Sequence, residues 1–205
     1  MILMKMVNGT NLKTSKIFLF FFVIFFYSKT SISFSNDIKD FTIEGMSIGD
    51  SALNFFSKEE IINNNMNYYT KDDYITIGLN NHPLLNQYDW LQISFKKNDE
   101  KYIIESLDGV LSFENDYKSC LKKKSQIVLE IKNMTDIEPN ELEGKHRGDP
   151  TGKSTFSNSE FYIGDDVIAI SCIDWSKKME EKYFDHLKVI FNTNEFHNFI
   201  ASNPY

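Results

Sequence analysis

"EFYIGDDVIAISCIDW", residues 160–175, is the stretch whose reading decides the fold. Apolar and polar residues alternate on both sides of Gly164-Asp165, and a Gly-Asp pair between two such runs signals a β-hairpin. In the second run Ile168, Ile170 and Cys172 fall on one face of a strand, because successive side chains point to opposite sides. Further along, "HLKVIFNT" (186–193) repeats the pattern with Leu187, Val189 and Phe191 on one side.

Upstream, "WLQISFKK" (90–97) sets Leu91, Ile93 and Phe95 against Gln92, Ser94 and Lys96, a half-buried strand. "YITIGL" (74–79) is a further strand. The turn "NDE" then leads into "KYIIESLDGVLSF" (101–113), read as a return strand broken at Asp108-Gly109. Strands joined by short turns pair with their neighbours, so the sheet is expected to be mainly antiparallel. With two or three helices packed on one face, the class is α+β.

Helix signals are local. Ser57 followed by Glu60 is a capping box ahead of Ile61 and Ile62, and Asp50 or Ser51 can cap an earlier turn. From Asn115 to Lys132, Tyr117, Cys120, Leu121, Ile127, Val128 and Ile131 recur at helical spacing. Asn194 is placed to cap a terminal helix carrying Phe196, Phe199 and Ile200.

The amino end supplies an address. Residues 1–35 hold four Lys and no acid, with a dozen-residue apolar block from Ile17 to Ser28 followed by small residues. A basic region, a short apolar core and a small-residue cleavage site read as a secretory signal peptide, leaving one domain over 36–205. The block is shorter than the ~20 apolar residues that span a bilayer, so no stable membrane insertion is expected after cleavage. The chain is then periplasmic or extracellular. The mature chain keeps 18 Lys and Arg against 29 Asp and Glu, a net charge near −11, which disfavours nucleic acid as a partner.

Export also permits a disulfide. Cys120 lies on the buried stripe of its helix and Cys172 on the inward strand face, so packing the two elements brings the sulfurs within reach. The alternative is a pair of reduced, buried thiols.

"GMSIGDS" (45–51) resembles the Gly-x-x-x-Gly turn of small exported α+β domains in the outer-membrane assembly lipoprotein family, over about ten residues. The whole chain more broadly resembles exported proteins of A+T-rich bacteria. The first resemblance implies a role in envelope assembly; the second implies an address and no activity.

"GDPTGKST" (148–155) is close to a phosphate-binding loop, but position 147 is Arg where the first glycine should stand. No apolar run precedes it and a strand-like run follows it, so no nucleotide and no other cofactor is expected. The sequence from 135 to 159 lacks apolar periodicity and is read as a long loop, a feature that in compact domains is usually functional or disordered. Lys145, His146, Arg147, Lys153 and Ser154 cluster there in an otherwise acidic chain, as a rim for an anion. Against this stands the expectation that Arg147 pairs with Asp149 or Glu143.

The four histidines are far apart and show no metal-ligand spacing. The leading expectation is a binding or structural module whose partner is a protein or a small anionic ligand. A small hydrolase using His146 and Asp149 is the alternative.

Overall fold

The structure is a computed structural model that describes residues 35–68 and 73–202, so the signal-peptide reading lies outside the described residues. Seven antiparallel strands form one sheet in the order β1-β2-β3-β7-β6-β5-β4. They are β1 (Tyr74–Asn80), β2 (Trp90–Lys96), β3 (Ser106–Ser112), β4 (Asn140–Lys145), β5 (Thr155–Ile163), β6 (Asp166–Asp174) and β7 (His186–Asn192). The helices are α1 (Lys58–Asn63), α2 (Tyr117–Thr135) and α3 (Asn194–Ser202), and the class is α+β.

The hairpin at Gly164-Asp165 forms with Ile163 opposite Asp166, and Gly164 takes the positive φ that the tight turn requires. Register then aligns one unbroken apolar row across six strands: Ile77, Ile93, Leu107, Phe191, Ile168 and Phe161. All six are buried. Ile38, Phe41, Met46 and Ile61 join the same core, along with Cys120 and Ile131 of α2. Ser57 and Glu60 cap α1 reciprocally, as the box predicts.

Cys120 and Cys172 form a disulfide with Cα atoms 6.0 Å apart, tying α2 to β6. The next two rows change character toward β4. Ile170 faces Ser159 and then Glu141, and Cys172 faces Ser157 and then Glu143. α2 answers with Lys124, whose Nζ lies 2.9 Å from Ser157 Oγ and 3.1 Å from Glu141 Oε2. Lys124 is 6% exposed, so its charge is tolerated because both partners are built into the facing strands.

The opposite face is polar around β1–β3. Thr76 bonds Ser94 at 2.7 Å, and Lys188 meets Asp108 at 2.7 Å. α3 closes the end of this face, where Phe196 packs edge-on against Tyr74.

Three local expectations are corrected. The segment 135–159 is not one long loop: β4 and the start of β5 take up a large part of it, and the loop proper is 146–154. Apolar periodicity fails there because β4 is an edge strand and the faces of both strands toward α2 carry Ser and Glu. Asp108-Gly109 does not break its strand; β3 runs straight through. Asp108 is held by Lys188, and a Cβ at Gly109 would stand 2.6 Å from the Tyr88 ring, so the glycine admits a neighbour rather than a turn. The terminal helix is capped by Thr193, whose hydroxyl accepts from the Phe196 N–H, and not by Asn194.

Candidate functional site

The loop from His146 to Ser154 is organised around a carboxylate. Asp149 is 4% exposed. Its Oδ2 accepts from Ser154 Oγ (2.7 Å), Thr151 Oγ1 (2.8 Å), Ser154 N (2.9 Å) and Lys153 N (3.2 Å), and its Oδ1 accepts from Thr151 N (2.7 Å). Burial pushes the Asp149 carboxyl up, but the hydroxyls and N–H groups of Ser154 and Thr151 together outweigh it and hold it well below the usual aspartate range. The phosphate-loop spelling thus has a physical answer. The loop does fold its backbone N–H groups around an anion, and the anion is its own side chain.

The five residues grouped by sequence separate in space. Ser154 is fully buried; its hydroxyl donates to Asp149 and accepts from Ser176 N at 2.9 Å, which pins the loop to the segment after β6. The His146 ring lies 4.4 Å from Trp175 and its Nδ1 accepts from Gly148 N. Burial lowers the His146 pKa, and Asp149 opposes that shift. Lys145 ends β4, and Arg147 and Lys153 are exposed. The carboxylates expected to pair with Arg147 are engaged elsewhere: Glu143 accepts from Ser157 Oγ at 3.1 Å, and Asp149 is taken up by the loop.

Only Lys153 of the five lines the cleft beside this loop, a cavity of about 660 Å³. Thr151, Asn115, Tyr117, Asp174 and Trp175 share its walls. Lys177 and Lys178 stand at its edge, and Lys177 Nζ is committed to Glu180 (2.9 Å) and Asn115 Oδ1 (3.1 Å). Asp185 also lines the cleft, with Oδ1 accepting from Trp175 N at 2.7 Å.

Two groups remain in tension. Burial raises the Asp174 carboxyl above the ordinary value; Asp185 and Glu180 add to this and Lys177 opposes it. The indole N–H of Trp175 is buried with no acceptor, and such a donor costs free energy until an acceptor reaches it. Tyr183 stacks on the same indole at 4.7 Å, fixing its plane. Sequence reading passed over Asp174-Trp175 because nothing local distinguishes them from the end of a strand.

Among the described residues no group of three or more His, Cys, Asp or Glu could hold a metal ion, and no helix is long and apolar enough to cross a membrane. Comparison with protein-family models, curated proteins and solved structures finds no match to this chain.

Proposed function

We propose that the chain is an exported binding module whose site is the cleft between the 146–154 loop, the start of α2 and the segment after β6. Its ligand is a small molecule with an anionic group and at least one hydroxyl or amine. Lys153 and Lys178 offer cations for the anionic end. Asp174, whose carboxyl is raised above the ordinary value first by burial and then by Asp185 and Glu180, offers a polar group at the other end.

The buried, unsatisfied indole N–H of Trp175, a residue of the cleft lining, carries the reading. A rigid, self-satisfied loop beside that donor is a preorganised wall, and preorganisation reduces the ordering cost of binding. The same geometry separates this reading from a hydrolase working through His146 and Asp149. Neither lines the cleft, and a base role would require Asp149 to give up the loop's hydrogen bonds.

Calorimetric titration with sulfate, inorganic phosphate and small hydroxy acids tests the proposal. Saturable binding is expected for at least one of them, weakened about tenfold by Lys153→Ala or Trp175→Phe and unchanged by Lys122→Ala on the far side of α2. Equal binding by all variants would remove the cleft as the site, and no binding by any of the probes would remove the anion.

A further inference from the structure

β4 ends the sheet. Its inner edge pairs with β5 throughout, and among the described residues no other backbone group bonds to Glu141, Leu142, Glu143 or Gly144. Every second residue of such a strand therefore turns an N–H and a C=O outward. Most of β4 is exposed, and Leu142 on the face away from α2 is 47% exposed. Natural edges usually carry charges that repel another strand. Here the order of the charges does the reverse.

On the α2 side of β4 the side chains read Glu141, Glu143, Lys145. The acid Glu143 and the base Lys145, placed symmetrically about Gly144, are complementary to themselves when the strand is reversed. We infer that β4 is a docking edge for β4 of a second copy of this chain, antiparallel and centred on Gly144. In that register Glu143 of each copy faces Lys145 of the other. Opposite charges directly across an antiparallel pair stabilise it.

The register is selected as well as permitted. Centring one residue earlier sets Glu141 against Lys145 in both halves but puts Glu143 against Glu143 on the axis, and centring on Leu142 sets Glu141 against Glu143 in both halves of the pair. Like charges directly opposite are destabilising, so the Leu142 register is rejected and the Glu143 register is penalised at its axis, whereas the Gly144 register carries no like pair. The residue on the axis is the glycine of the strand, where two backbones approach with no side chain between them. Leu142 then lies across from His146, covering an exposed apolar side chain. The inference also gives a role to Lys145, which the cleft does not use, and it is independent of the ligand proposed there.

The test is sedimentation velocity on the purified protein from micromolar to sub-millimolar concentration, with hydrogen exchange of the β4 amides read across the same range. A weak, concentration-dependent dimer is expected, with β4 gaining protection as it forms. Glu143→Lys and Lys145→Glu each place like charges across the axis and raise the dissociation constant by about tenfold or more. The double variant restores the complementarity and restores the dimer, and an equimolar mixture of the two single variants forms a heterodimer. Both side chains are exposed, so circular dichroism and an intact Cys120–Cys172 bond should show each variant folded. A monomer at every concentration overturns the inference, as does a dimer indifferent to the single reversals or a double variant that stays monomeric.

Discussion

The carboxylate of Asp149 lies 2.7 Å from the Ser154 hydroxyl, and that hydroxyl accepts the N–H of Ser176, so one short relay fixes the 146–154 loop to the far end of β6. The loop is rigid because its one buried charge is fully solvated by its own chain. Asp149→Ala removes an acceptor that five donors share, leaving buried N–H and O–H groups unpaired. The expected outcome is a thermal midpoint lowered by several degrees, with amide exchange accelerated across 148–154 and unchanged in β1–β3. Asp149→Asn should recover only part of the loss, because the amide turns one acceptor into a donor facing donors.

His186 makes stability fall in mild acid. Its pKa is lowered to about 4, first by burial and further by Lys188 and His146, while the Phe184 carbonyl opposes the shift. The unfolded chain takes up this proton near the ordinary histidine value of about 6.5, before the folded chain does. The neutral-histidine contribution is therefore complete above about pH 6.5, shrinks as pH falls, and is gone below about 4. It amounts to roughly 3 kcal/mol at most, at about 1.4 kcal/mol per pH unit. Urea denaturation at a series of pH values should show this slope, and His186→Gln should flatten it. Below about pH 4 a second loss begins as the depressed carboxyl of Asp149 is protonated in the unfolded chain first.

How much of this was legible depended on whether the signal was local. The strand alternation around Ile93, Ile170 and Val189, the Gly164 turn, the Ser57–Glu60 cap and the Cys120–Cys172 pairing all rest on neighbours in sequence or on two periodicities meeting. β4 was hidden because its residues on the α2 side are Glu141 and Glu143, whose partners, Lys124 of α2 and Ser157 of β5, come from elsewhere in the chain. Gly109 looked like a turn because its partner, Tyr88, lies 21 residues earlier. The candidate cleft draws on α2, the 146–154 loop and the segment after β6, and only Lys153 among its residues had announced itself.

Reducing the disulfide tests how far α2 depends on its tether. In the chain-entropy model, a crosslink closing a loop of 52 residues stabilises by about 4 kcal/mol. Cys120→Ser with Cys172→Ser, or treatment with a thiol reductant, should lower the urea midpoint by a corresponding amount. Both cysteines are fully buried, so the serine variant also adds hydroxyls without assured partners and should be the weaker of the two. Cys120→Ala with Cys172→Ala separates that penalty from the crosslink.

Lys124 offers the sharpest separation of charge from packing. Lys124→Ala empties the space under α2 and leaves Ser157 and the Glu141 carboxylate facing it without their cation. Lys124→Met keeps the stem volume and loses only the ammonium. Because Glu141 is 56% exposed, water recovers much of its solvation, and the loss for Met is expected to be small, about 1 kcal/mol. Ala should cost about 2 kcal/mol more through the cavity it creates. Denaturation of the two variants side by side decides the matter. If Met is as damaging as Ala, the ion pair rather than the fill positions α2 over β5. If Met is neutral, the charge serves to choose which helix face turns inward, at little cost in stability.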